Sequence, residues 1–103
     1  MIVELLGKNP RILILEAFID GIGESWTKKD IQEMTGLSKA TILNNWEPLE
    51  KYGLIKVKRS FGNTKLYIFD KDSKTAKAFL KLEMELAEKM SLKETDKKEA
   101  IPA

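Results

Sequence analysis

The side chains with chemical capability cluster in the middle of the sequence. Ser38, Lys39, Thr41, Asn44 and Asn45 lie close together, Lys28 and Lys29 precede them, and Lys56, Lys58, Arg59, Asn63 and Lys65 follow. These are cationic and hydrogen-bonding groups, suited to holding a partner rather than to making bonds. Residues 28–65 carry eight basic and four acidic side chains. Residues 1–27 carry two and four, and residues 66–103 carry eight of each. The net charge of +2 is therefore concentrated in the middle.

The missing residue types narrow the chemistry further. The chain has no cysteine and no histidine. That excludes disulfides, the usual zinc, iron–sulfur and copper sites, and Cys–His or Ser–His nucleophiles. No GxGxxG or P-loop pattern occurs. Asp70, Asp72, Glu83 and Glu85 have no metal-ligand spacing. The expectation is a binding module: no enzyme, no cofactor, no metal. No run of about 18 apolar residues predicts a membrane span, and Met1–Leu6 lacks a basic leader. A cytoplasmic location is the default. The length of 103 residues suits one domain.

Those residues need elements to hold them. Asn9-Pro10 opens a helix over 10–20, with Asn as cap and Pro at the first helical position. That helix is apolar on nearly every face, so it is buried on more than one side. Ile2–Leu6 reads as a short helix in preference to a strand. Thr27 caps a short helix through Met34, with Trp26 as a staple onto Ile31 and with Ile31 and Met34 on one face. Thr35-Gly36-Leu37 is a turn, and Ser38 caps the next helix, roughly 39–52. Ile42, Trp46 and Leu49 form its buried stripe, which makes Trp46 a core residue. Ala40, Thr41, Asn44, Pro48 and Lys51 fall on the opposite side, and Pro48 predicts a kink or bulge.

Residues 55–59 and 65–69 read as a hairpin with its turn over 60–64. Alternation puts Lys56 and Lys58 opposite Val57, with Arg59 at the tip beside Asn63. A last helix starts at Ser73 or Thr75 and ends near Met90. Ala76, Phe79, Leu82, Leu86 and Met90 make one apolar seam along it, and Leu80, Met84 and Ala87 a second. Residues 91–103 read as a disordered tail. The fold class is mainly α with a small β-hairpin, an α+β domain over 1–90.

Two helices joined at a Gly-Leu-Ser turn, then a basic hairpin, resemble the winged helix-turn-helix of small archaeal and bacterial transcriptional regulators. The resemblance rests on Gly36-Leu37-Ser38 with Thr41-Ile42, and on Leu49 with Gly53-Leu54-Ile55. It covers about 45 residues, Ser25 to Phe69. It implies a helix-turn-helix over 27–52, a wing over 55–69, and double-stranded DNA as partner. Ser38, Lys39, Thr41, Asn44 and Asn45 would then face the major groove. Lys56, Lys58, Arg59, Asn63 and Lys65 would form the wing contacts on minor groove or phosphate, with Arg59 the foremost candidate for a minor groove, and Lys28 and Lys29 would touch the backbone. The chain departs from the pattern in having no mid-helix Arg and in carrying Pro48.

The expected protein is a dimeric transcriptional regulator acting by occlusion, its dimer formed through Phe79, Leu82, Leu86 and Met90. Two other classes fit the same residues: a protein-interaction or assembly module, and an architectural or partition protein. The plainer alternative for the lysines is a solvated hairpin edge kept from aggregating. Richness in Lys, Glu and Ile suits a thermophile.

Overall fold

The computed structural model describes the backbone of residues 2–100 and the side chains of residues 2–90. Five helices and one antiparallel two-stranded hairpin make it a mainly helical α+β structure. The order is α1 (Ile2–Leu6), α2 (Pro10–Asp20), α3 (Lys28–Thr35), α4 (Lys39–Lys51), β1 (Ile55–Phe61), β2 (Thr64–Phe69) and α5 (Lys74–Ala100).

The caps are those the sequence predicts. The Asn9 side chain accepts from the Ile12 N–H at 3.0 Å, with Pro10 at the first helical position. Thr27 Oγ1 accepts from the Asp30 N–H, and the Asp30 carboxylate accepts from the Thr27 N–H, a reciprocal box. Ser38 Oγ accepts from the Thr41 N–H. α1, too short to hold itself, is tied at its start by two carboxylates. The Ile2 N–H donates to Glu83 of α5 at 3.0 Å, and the Val3 N–H donates to Glu16 of α2 at 3.3 Å.

The core gathers one apolar face from each element. α2 contributes Ile14, Leu15, Phe18 and Ile19, and α4 contributes Ile42, Trp46 and Leu49. The hairpin adds Ile55, Tyr67 and Phe69. Of α3 only Ile31 is buried; Met34, expected on the same face, is exposed. Eight residues are barely two turns, and the three-residue step from Ile31 carries Met34 off the single line that meets the core. α4 is one helix straight through Pro48.

Three features depart from the sequence reading. The strands reach further than 55–59 and 65–69, so the turn shrinks to Gly62-Asn63. Gly62 has φ 56°, as the first loop position of a type II′ turn requires. Trp26 pairs with Tyr67 through both N–H···O bonds at 2.8 Å, so the segment before α3 lies along β2 as a third, single-residue rung. Its indole lies against Gly21, where an added Cβ would stand 3.2 Å away. Finally, α5 continues past Met90. The backbone of 91–100, read from sequence as disordered tail, is helical. Glu94, Lys97, Lys98, Glu99 and Ala100 are strong helix formers, and no Gly or Pro intervenes before Pro102. Residues 101–103 of that tail lie outside the described residues.

Gly53 and Ser73 join the exit of α4 to the start of α5. Gly53 has φ 75°, and Ser73 Oγ donates to its carbonyl while accepting from the Ala76 N–H. A Cβ on Gly53 would lie 3.3 Å from that hydroxyl. Gly53→Ala is expected to lower unfolding free energy by about 1–2 kcal/mol from the left-handed backbone alone. Ser73→Ala is expected to cost about 1 kcal/mol through the lost cap. Urea denaturation of both variants checks this.

Candidate functional site

The predicted contact residues lie around the first turns of α3 and α4 and on the hairpin. Two adjoining clefts bring several of them together. One, about 510 Å³, is lined by Thr27, Lys28, Lys29, Asn63, Thr64, Lys65 and Tyr67. The other, about 330 Å³, is lined by Lys28, Lys29, Gln32, Lys39, Ile42 and Leu43. Lys28 and Lys29 belong to both. Four lysines from three elements therefore converge, and no carboxylate lines either cleft.

The four lysines are not equivalent. Lys28 is half-buried, with its ammonium 5.7 Å from the ring centres of both Trp46 and Tyr67. It holds these rings through cation–π attraction and presents its charge from a restrained position. Lys29, Lys39 and Lys65 are exposed. Burial, with the Glu50 carboxylate second, pushes the Tyr67 phenol above its ordinary value.

The polar residues of α4 divide. Ser38 and Thr41 spend their hydroxyls on the cap: Ser38 Oγ accepts from the Thr41 N–H and donates to Thr41 Oγ1 at 2.9 Å. Asn45 is half-buried and donates its amide N–H to the Thr41 carbonyl at 2.8 Å. Asn44 is exposed and shares a third cleft, about 450 Å³, with Arg11, Leu43, Glu47, Pro48, Lys51 and Tyr52. The face that α4 turns outward thus carries Lys39, Ala40, Leu43, Asn44, Glu47, Glu50 and Lys51. Leu43, 49% exposed, and Glu47 were not singled out from sequence. Leu43 is the apolar residue that sits off the Ile42/Trp46/Leu49 stripe, and that mismatch was the available signal.

A bulge rearranges the hairpin. Pairing runs Ile55↔Phe69, Lys56↔Ile68, Val57↔Tyr67 and then Arg59↔Leu66, so Lys58 has no partner. Strict alternation would put Lys58 beside Lys56. Instead Arg59 opposes Leu66 and so shares the face of Lys56 and Ile68. Arg59 is not at the tip, which is Gly62-Asn63; its guanidinium lies 5.4 Å over the ring of Phe61. Lys65 is on the other face, with Tyr67. Lys56 pairs with Asp70 at 3.4 Å and Asp72 at 3.8 Å, so its charge is already partnered.

The seam on α5 also finds an internal partner. Phe79, Leu82 and Leu86 pack, partly buried, against the chain's own core, and Met90 is half-buried. Among the described residues of α5, the large apolar side chain left in solvent is Met84, 64% exposed. It shares a shallow cleft with Lys77, Leu80, Lys81, Glu85 and Glu88.

Among the described residues, no helix is long and apolar enough to cross a membrane, and no group of three or more acidic side chains is placed to hold a metal ion. The sequence matches no family model and no curated protein.

Because folding raises the Tyr67 pKa, its contribution to stability is complete below the unfolded value of about 10 and is lost as pH rises through the folded value. Wild type is therefore expected to lose stability above about pH 10 more steeply than Tyr67→Phe. Urea midpoints across an alkaline series, with tyrosinate absorbance alongside, check the sign.

Proposed function

We propose that this chain is a winged-helix protein that binds double-stranded DNA, acting as a dimeric transcriptional regulator by occlusion. The observation that carries the reading is the convergence of Lys28, Lys29, Lys39 and Lys65 on two carboxylate-free clefts beside the outward face of α4. Cations so placed would neutralise successive phosphates on either side of a groove. α4 would be the recognition helix. Asn44 suits paired hydrogen bonds to adenine, Leu43 a thymine methyl, and Glu47 the cytosine amino group. Ser38 and Thr41 would act by fixing the first turn rather than by reading bases. Lys58 and Arg59 of the hairpin would supply the wing contacts.

A second reading is favoured by one observation. The outward face of α4 also carries exposed Glu47 and Glu50, which a duplex would repel if they met phosphate. A winged helix used for protein assembly would keep them without cost.

Fluorescence anisotropy with a labelled random-sequence duplex, across a salt series, separates the two. Binding is expected at low salt and to weaken steeply as salt rises. Lys29→Ala/Lys65→Ala and Lys58→Ala/Arg59→Ala should each reduce the log–log salt slope by about 1–2. Absence of binding at low salt would leave the assembly module. Affinity indifferent to sequence after operator selection would favour an architectural protein.

The dimer we propose uses the exposed side of α5, since Phe79, Leu82 and Leu86 are occupied internally. Along that side the charges run Lys77 and Lys81, then Glu85 and Glu88, around Leu80 and Met84. A two-fold axis reverses one copy, so each lysine pair meets the glutamate pair of the second copy, and the two Met84 side chains lie near the axis. Met84→Lys is expected to shift the protein to monomer in light-scattering chromatography. Lys81→Glu should weaken the dimer, and Lys81→Glu/Glu85→Lys should restore it. Equal mass for all variants would exclude this face.

A further inference from the structure

We propose that the hairpin tip bends the duplex, driving the Arg59–Phe61 pair into the minor groove as a wedge. This rests on the duplex-binding reading above and adds an activity to it. Phe61 ends β1 beside the two-residue loop, and its ring is 54% exposed. A large ring at the tip of a narrow hairpin buries nothing within this chain commensurate with its size. Arg59 lies over that ring at 5.4 Å, so the pair is assembled before any partner arrives.

The bulge decides which face the pair occupies. Had β1 kept strict alternation from Val57, Arg59 and Phe61 would lie on the Tyr67 face, towards α3 and the lysine clefts. The unpaired Lys58 turns both onto the opposite face, where they oppose Leu66 and Thr64. One hairpin thus has two uses: Lys65 on one face serves the clefts, and Arg59 with Phe61 serves a second groove.

The surroundings specify the occupant. No acidic residue occurs between Glu50 and Asp70, while Lys58 and Arg59 precede the ring in the same strand. The remaining tip residues, Ser60, Gly62, Asn63 and Thr64, are small and polar. A protein-docking site would need a broader apolar patch than one ring. A cation against a single apolar wedge instead suits a narrow, negative minor groove: arginine is drawn into it, and the ring enters between base steps and unstacks them.

The test uses the whole chain and a duplex of about 30 base pairs rich in TA steps, which kink cheaply. The duplex carries a donor and an acceptor dye at its two ends. Saturating wild type is expected to raise energy transfer as the ends approach. Phe61→Ser should bind within about threefold of wild type but leave transfer at the value of free DNA. Phe61→Trp should bend the duplex, and its added fluorescence, after subtraction of wild type, should be quenched by stacking on bases. Circular dichroism establishes that both variants fold, as an exposed tip allows. Saturation by wild type without a rise in transfer, or bending by Phe61→Ser equal to wild type, would overturn the wedge and leave the binding reading intact. No binding at low salt would overturn both.

Discussion

The packing of one indole holds the arrangement together. Trp46 is almost fully buried, and three different elements meet its ring system. Phe18 of α2 approaches edge-on at 5.7 Å, Tyr67 of β2 at 4.9 Å, and the Lys28 ammonium of α3 stands 5.7 Å away. Each aromatic edge contact contributes about 0.5–1.5 kcal/mol beyond the area it buries. The indole N–H makes no hydrogen bond of standard geometry among the described residues, so the side chain is held chiefly by its packing against these rings. Because α4, α3 and the hairpin all register on Trp46, the distances between their outward faces are set from within. The lysine clefts are the outer surface of this packing.

The same economy explains how charge is distributed. Lys28 stabilises the aromatic cluster and supplies charge to both clefts. Lys56 is drawn away to Asp70 and Asp72, where the chain leaves β2 for α5. Exposed pairs of this kind contribute little to stability, but they decide which cations remain for a partner. Lys29, Lys39 and Lys65 remain exposed at the clefts, and Lys58 and Arg59 remain exposed along β1. The α5 helix keeps its larger apolar seam for the chain itself and leaves a smaller, charge-banded strip outside.

Local features were legible in the sequence because they depend on a few neighbouring residues. Asn9, Thr27 and Ser38 cap helices through bonds to N–H groups three positions on, and the Ile42/Trp46/Leu49 stripe follows from helical pitch. The charged middle segment could be counted directly. The hairpin was readable as alternating apolar and basic residues, but its bulge was not. A bulge depends on how two strands pair, and nothing within Lys56-Val57-Lys58-Arg59 distinguishes a paired Lys58 from an unpaired one. The pairing of Trp26 with Tyr67 likewise joins residues 41 positions apart.

The sequence by itself therefore determined the kind and order of the elements, where most of them are capped, and that the middle is cationic. These follow from short-range hydrogen bonding and residue periodicity. Tertiary structure decided which side chains are left to act. It spent Ser38, Thr41, Asn45 and Lys56 on internal bonds, turned Leu43 and Glu47 outward, and moved Arg59 together with Phe61 onto the face of Leu66. It also gave Phe79, Leu82 and Leu86 to the chain's own core. The physical reason is competition: a polar or apolar group satisfied inside the fold is withdrawn from the surface, and which groups are satisfied depends on contacts between distant segments.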